Sequence, residues 1–338
     1  MKQTDCDRDH LLWPHLGHGH CQVSSSSPAK SIKGNPFPSQ NEKAGIMSKI
    51  CSTETGPRRL CNIAHPFVLL LTVTLLAVNR PACADGEMVE QIRPNFGRYF
   101  SEAGTEGTIV ISALRQGVSI VYNPERADHP YLPSSTFKIP NSLIALETGV
   151  VKDVDQGRFA WNGRPFLVDG KPLLSDACNA DITLRTALQN SCVPVYQEIA
   201  RQVGLARYQS FLHALSYGNE DAGGAAIDWF WLSGNLRVTA RQQVDFLTRF
   251  YRSDLPFSAR SMAQVKDIML VEQTPTYVIR AKTGFVFATK PAVGWWVGWV
   301  ETKEDVYVFA LNLDLLRPDQ SKARMLIVKA VLHDLGAI

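Results

Sequence analysis

Residues 133–141 of this 338-residue chain read Pro-Ser-Ser-Thr-Phe-Lys-Ile-Pro-Asn. An apolar pattern with helical spacing runs from Ser135 to Glu147, and Gly149 ends the predicted helix. Ser135 and Lys138 are three residues apart, so on a helix they share a face and the amine can reach the hydroxyl. A serine needs an adjacent base to become a good nucleophile, and a neutral or carbamylated lysine can supply it. A helix N-terminus also directs backbone N–H groups at the reacting centre. The stretch predicts a serine nucleophile with a lysine base.

Two further motifs lie downstream. Residues 191–193 read Ser-Cys-Val at the start of an apolar helical pattern, and residues 282–284 read Lys-Thr-Gly at the end of a predicted strand. In the second motif the glycine leaves room for a ligand beside the backbone, and the lysine can meet an anion. Each motif is common in isolation. The three in this order, each at the boundary of an element, are the signature of penicillin-recognising serine enzymes.

From about residue 90 to its end, the chain resembles the class D β-lactamases, the oxacillinases. The resemblance rests on residues 133–141 and 280–284 and on the strings Tyr-Gly-Asn at 217–219, Phe-Trp-Leu-Ser-Gly at 230–234 and Gly-Trp-Trp-Val-Gly-Trp at 294–299. It implies a hydrolase of cyclic amides that opens penicillins and oxacillin-type β-lactams and confers antibiotic resistance. The loop 285–294 has the length found in carbapenem-hydrolysing relatives, which predicts slow carbapenem turnover as well.

The resemblance implies roles for the residues around the nucleophile. Ser135 is acylated by the lactam carbonyl, and its backbone N–H forms an oxyanion hole with that of Phe285. Lys138 carries a carbamate formed with CO₂, an N6-carboxylysine, and acts as general base. Trp231 donates its indole N–H to that carbamate. No cofactor other than CO₂ or bicarbonate is implied.

The other motif residues handle the leaving group and the substrate carboxylate. Ser191 relays a proton to the departing lactam nitrogen, with Lys282 nearby, and Thr283 and Arg324 hold the carboxylate. The remaining substrate-binding positions are Gly284 and the apolar wall of the lysine pocket, Val193 and Leu232.

Several of these residues have a plainer interpretation. Trp231 could belong to the core, although a buried indole N–H needs an acceptor. Arg324 could be a solvated helix charge, because surface arginines are common. Val193 and Leu232 would be apolar in any packed lobe.

The periodicity of the chain predicts an α/β fold of the α+β type. An antiparallel sheet is built from both chain ends and flanked by terminal helices, with an inserted all-helical lobe, as in the serine β-lactamases and penicillin-binding transpeptidases. We expect the α/β lobe at 85–140 and 270–338 and the helical lobe at 141–269. The predicted helices are 86–103, 135–147, 182–188, 193–203, 206–215, 240–251 and 321–335, and the predicted strands are 107–114, 118–122, 277–282, 295–301 and 306–313.

The first 84 residues precede this pattern. Residues 66–78 form an uncharged apolar run, preceded by Arg58 and Arg59 and followed by Ala-Cys-Ala at 82–84. These features predict a secretory signal peptide at 47–84, starting at Met47, and a periplasmic protein beginning at Asp85. An uncleaved anchor is the alternative, although the run is short for a membrane-spanning helix. Residues 1–46 are interpreted as a disordered extension or a misassigned start.

Two of the seven cysteines, Cys178 and Cys192, belong to the main domain. A bridge between them is possible in an oxidising periplasm, but the sequence does not fix their separation. The sequence-based interpretation favours free, buried thiols.

Charge and residue spacing exclude other function classes. The net charge of +3 and the lack of a basic run argue against nucleic-acid binding. The histidines lack metal-ligand spacing, so no metal site is predicted. A β-lactam sensor would carry several membrane helices, a transpeptidase usually has Asn in place of Val193, and a peptidoglycan-binding module would not keep every candidate catalytic residue. The expected partner is a small β-lactam, with the chain a monomer or homodimer that is not stably bound to a membrane.

Overall fold

The computed structural model describes residues 88–168, 170–172 and 174–338. The predicted signal peptide at 47–84 and the extension before it lie outside the described residues. Within the described ranges, no helix has the length and apolar character needed to cross a membrane.

Seven strands form one sheet in the order β1-β3-β2-β9-β8-β7-β6, and two short strands form a separate hairpin. Neighbouring strands of the large sheet are antiparallel except β1 and β3, which are parallel. Gly117, at φ 65°, allows the tight turn between β2 and β3. The strands are β1 (Val89–Ile92), β2 (Gly107–Ala113), β3 (Val118–Tyr122), β4 (Leu167–Val168), β5 (Lys171–Pro172), β6 (Leu270–Gln273), β7 (Tyr277–Val286), β8 (Ala292–Thr302) and β9 (Val306–Leu315).

The helices begin where the sequence places capping side chains. Thr239 and Gln242 form a capping box at the start of α7, and the hydroxyl of Ser258 accepts a hydrogen bond from the backbone N–H of Ser261 in α8. The helices are α1 (Gly97–Glu102), α2 (Pro124–Ala127), α3 (Lys138–Glu147), α4 (Leu184–Gln189), α5 (Val193–Val203), α6 (Leu205–Ala214), α7 (Ala240–Arg252), α8 (Ala259–Ile268) and α9 (Ala323–Asp334).

The sheet is covered on both faces. Helices α1 and α9 pack together on one face, where Phe100 and Val328 lie in a cluster with Trp296 of β8. Helix α7 lies against β2, β8 and β9 on the other face, and there Trp299 belongs to the larger core, which continues between helices α3 to α8. Because successive residues of a strand point to opposite faces, β8 contributes large side chains to both clusters. The predicted α+β architecture, with a sheet from both chain ends, is confirmed.

The prediction of a helix over 86–103 is wrong for its first half. Val89–Ile92 forms edge strand β1, in parallel register with Val118–Val121. Val89 and Ile92 are exposed, so their apolar side chains do not form the buried face that the helical interpretation assumed. Pro94 follows the strand in a short 3₁₀ turn, and the helix itself covers only α1. The segment 141–269 also contains the β4–β5 hairpin, which was not predicted.

The expectation of free thiols is also wrong, because Cys178 and Cys192 form a disulfide. Their Cα atoms lie 5.4 Å apart, which is within the range that a disulfide can span. The chain between them passes through helix α4 and returns, so the pairing depends on three-dimensional folding that the spacing of the two cysteines does not reveal.

Candidate active site

The candidate nucleophile lies in a 3₁₀ turn, Ser134–Phe137, that leads directly into helix α3. The Nζ atom of Lys138 lies 2.8 Å from the Oγ atom of Ser135, within hydrogen-bond distance. The backbone N–H of Ser134 donates to the carbonyl of Trp231 at 3.0 Å, which links the turn to the segment that precedes α7. The structure therefore brings together the serine and lysine of the first motif.

The lysine of this pair is completely buried. Burial lowers the pKa of the Lys138 amine well below its ordinary value, and the nearby charge of Lys282 lowers it further. The ring of Tyr196 lies below the amine, with 5.3 Å from Nζ to the ring centre. A depressed pKa favours the neutral amine, which is the form that can accept a proton from a neighbouring hydroxyl.

The end of β7 passes close to the nucleophile turn. A Cβ atom placed on Gly284 would lie 3.0 Å from Cγ2 of Thr136 and 3.2 Å from the carbonyl oxygen of Pro133. A side chain at this position would therefore push the strand away from the turn. The glycine keeps the third motif beside the first, and Phe285 follows it on the same strand.

The third motif also reaches the second. The Nζ atom of Lys282 donates to the Oγ of Ser191 at 3.1 Å and to the carbonyl of Thr283 at 3.0 Å, and it lies 3.4 Å from the Thr283 hydroxyl. Burial, together with the charge of Arg324, lowers the pKa of Lys282 to about 7. The amine can therefore gain or lose a proton near neutral pH.

Arg324 approaches from the first turn of α9. Its guanidinium donates to the carbonyl oxygens of Ser321 at 2.7 Å and Gly284 at 2.8 Å. Burial lowers the pKa of this guanidinium to about 10, so it remains charged at neutral pH. The side chain is fixed across the end of β7, in contrast to a solvated helix charge.

Trp231, Val193 and Leu232 are all buried in the larger core cluster. The Trp231 ring stacks on Phe137 with 5.9 Å between ring centres. Its indole nitrogen has no hydrogen-bond partner in the structure. Leaving a buried N–H without an acceptor costs about 1–3 kcal/mol, so this donor is energetically unfavourable as it stands.

The three basic side chains of the site, Lys138, Lys282 and Arg324, have no acidic partner among the described residues. Each of Lys138, Lys282 and Arg324 has its pKa lowered, and no carboxylate among the described residues acts on any of the three. Arg324 remains charged at neutral pH and Lys282 is partly charged, and buried cations without an acidic partner favour the binding of anions. The described residues contain no group of three or more His, Cys, Asp or Glu side chains that could hold a metal ion.

Some residues that support the site were not predicted. Gln243 on α7 donates to the Thr136 hydroxyl at 2.8 Å, and the indole of Trp295 donates to the carbonyl of Leu132 at 3.0 Å. Tyr196, below the lysine, is another. The chain places Tyr196 and Gln243 on ordinary amphipathic helices, and only the three-dimensional packing reveals their contacts. Trp295 lies in the string 294–299, which supported the family resemblance but did not indicate the hydrogen bond to Leu132.

Comparison with known proteins agrees with the family resemblance of the motifs. Residues 107–333 match the family described as the penicillin-binding protein transpeptidase domain. The chain is 44% identical to β-lactamase OXA-48 of Klebsiella pneumoniae over 242 residues, which cover 72% of this chain and 88% of that protein. It is 40% identical to β-lactamase OXA-5 of Pseudomonas aeruginosa over 260 residues, covering 75% of this chain and 94% of that protein.

The fold is similar to that of solved relatives. The crystal structure of the class D β-lactamase YbXI from Nostoc superposes with a TM-score of 0.68 at 39% sequence identity, covering 73% of this chain and all of that chain. The order of the motifs, the fold and these similarities agree, and the chain belongs to the class D, OXA-type β-lactamases.

Proposed function

We propose that this protein hydrolyses β-lactam antibiotics, penicillins and oxacillin-type compounds among them, through an acyl-enzyme on Ser135, and so confers resistance. The observation that carries the proposal is the contact of 2.8 Å between Ser135 and a buried Lys138 whose pKa is strongly lowered. A lysine of this kind is neutral at neutral pH, so it can react with CO₂ to form the carbamate that acts as the base beside the serine.

In the acylation half-reaction, the Oγ of Ser135 attacks the lactam carbonyl carbon and its proton passes to Lys138. The C–N bond of the ring then breaks, and the nitrogen receives a proton through Ser191, whose hydroxyl lies against Lys282. Backbone N–H groups of Ser135 and Phe285 stabilise the developing oxyanion. The substrate carboxylate binds to Thr283 and Arg324, beside Gly284.

In the deacylation half-reaction, a water molecule loses a proton to the base at Lys138 and attacks the ester. Lys138 as its carbamate supplies this base. Two observations support a carbamate here: the unpaired indole N–H of Trp231 and the absence, among the described residues, of any carboxylate acting on Lys282 or Arg324. Val193 and Leu232 keep the pocket apolar, which favours the neutral amine that reacts with CO₂.

The proposal is tested by the hydrolysis of a chromogenic cephalosporin and of oxacillin by the purified protein. We expect multiple turnovers and a transient covalent adduct on the proteolytic peptide that contains Ser135. A stoichiometric adduct that forms and never hydrolyses would instead indicate a sensor or a transpeptidase. An adduct on any other residue would contradict the assignment of the nucleophile.

Arg324→Ala is expected to raise KM for benzylpenicillin by about 10- to 100-fold, with a smaller change in kcat. A hydrogen bond to a charged group contributes about 1.5–3 kcal/mol, and about 1.4 kcal/mol corresponds to a factor of ten. Steady-state kinetics measure the effect, and Arg317→Ala, which replaces an exposed arginine, is the matched control. An unchanged KM in Arg324→Ala would remove this residue from the substrate site.

We also propose that the protein is exported and cleaved after Ala84. The Ala-Cys-Ala sequence at 82–84 supports this site, and the apolar run at 66–78 supports export. The intact mass of protein recovered from the periplasm is expected to correspond to a chain that begins at Asp85. A mature protein that retains residues before 66 would show that the leader is not removed.

A further inference from the structure

Ser191 occupies a strained position at the end of helix α4. The backbone N–H of Ser191 donates to the carbonyl of Leu188 at 3.2 Å, and that of Cys192 donates to Ala187 at 2.8 Å. These two bonds form a Schellman motif, in which the residue at the position of Ser191 adopts a left-handed conformation and is usually glycine. Ser191 has φ 58°, a conformation that side chains disfavour. The surrounding residues must therefore hold Ser191 in this left-handed conformation.

The next residue is held covalently. Cys192 is bonded to Cys178, which ends the 3₁₀ turn Asp176–Cys178, and both cysteines are buried. Cys192 is also the last residue before helix α5. The bridge thus restrains Cys192, the one residue between the strained serine and helix α5.

The position of Ser191 matters because its hydroxyl joins the two lobes. Its Oγ accepts from Nζ of Lys282 at 3.1 Å, and Lys282 lies on β7 of the sheet. A hydrogen bond of this length is lost when its partners separate by about an ångström. The Lys138–Ser135 pair does not depend on this contact, because both residues lie in the nucleophile turn and the start of α3.

We infer that the Cys178–Cys192 disulfide is a positioning device that holds Ser191 against Lys282 for proton delivery to the leaving nitrogen. This inference rests on the proposed function and deepens it. Since the base at Lys138 is positioned separately, loss of the bridge should slow acylation and leave deacylation unchanged. A bridge with a purely structural role would lower stability without separating the two steps.

Reduction of the purified protein tests this directly. Dithiothreitol supplies two electrons and two protons, is itself oxidised to its cyclic disulfide, and leaves two thiols. Alkylation, followed by mass analysis of the peptides containing Cys178 and Cys192, verifies the reduced state. Stopped-flow measurement of the reduced protein with a chromogenic cephalosporin gives the rate constants of acylation and deacylation. We expect acylation to slow by about 10- to 100-fold, the range for a catalytic group displaced by about an ångström, with deacylation unchanged. Reoxidation before alkylation should restore the original rate.

The variant Cys178→Ala/Cys192→Val produces the unbridged state without a reductant. Its matched control is Ser258→Ala, which removes the N-cap of α8 in the same lobe and should lower the Tm while leaving both rate constants unchanged. Equal acylation rates with and without the bridge would overturn the inference. So would a parallel fall in both rates that follows the loss of folded protein. If the oxidised protein forms no acyl adduct at all, the proposed function itself fails, and the role of the bridge fails with it.

Discussion

Lys138→Ala is expected to reduce β-lactam turnover by at least about 10⁴-fold, the upper range for loss of a general base. Lys138 is the only side chain within hydrogen-bond distance of the Ser135 hydroxyl among the contacts of the described residues. Without it, the serine has no adjacent group to accept its proton in acylation, and the attacking water has none in deacylation. Any acyl-enzyme that still forms should be long-lived.

Mass spectrometry over time after mixing with oxacillin measures this outcome. The wild-type protein should return to its unmodified mass, whereas Lys138→Ala should remain acylated or unreacted. Lys152→Ala is the matched control, because this lysine is exposed on the segment that follows α3. Circular dichroism verifies that the variants are folded. Turnover by folded Lys138→Ala at the wild-type rate would show that another group is the base.

Trp231→Phe is expected to make turnover depend on added bicarbonate. Phenylalanine keeps an aromatic ring that can stack near Phe137 but removes the unpaired indole N–H. Losing a hydrogen bond to a charged group costs about 1.5–3 kcal/mol, so the affinity for CO₂ should fall by about 10- to 100-fold. In buffer without added bicarbonate, deacylation should slow more than acylation.

Rates measured over a bicarbonate titration test this expectation. Added bicarbonate should restore turnover of Trp231→Phe towards that of the wild type. Trp229→Phe is the control, because Trp229 stacks on Phe166 and carries no unpaired buried N–H in the structure. The role assigned to the indole is refuted if Trp231→Phe is as active as the wild type after degassing.

The local parts of the site could be predicted from the sequence. The spacing of Ser135 and Lys138 is enough to place both side chains on one face of a turn, and the structure shows the expected contact. The alternating and β-branched strands could also be predicted, because their pattern reflects burial on the faces of the sheet. The edge strand β1 could not, since its apolar residues Val89 and Ile92 are exposed and its burial does not alternate along the strand.

Contacts between distant segments were predictable only through the family resemblance. Ser191 and Lys282 are 91 positions apart, and no periodicity relates them. The contact of Arg324 with the carbonyl of Gly284 depends on how α9 packs at the end of β7. The Cys178–Cys192 bridge was the less favoured alternative, because the sequence does not fix the separation of the two residues. Each of these contacts depends on a distance between two segments that is set by how they pack.

Carbon-13 NMR of the purified protein in labelled bicarbonate tests the central claim, a carbamate on Lys138 acting as the base. We predict a carbamate resonance in the wild-type protein that disappears in Lys138→Ala, weakens in Trp231→Phe and rises together with turnover as bicarbonate is added. The absence of that resonance from an active preparation, with degassed protein as active as bicarbonate-treated protein, would show that Lys138 works as a free amine and would contradict this account.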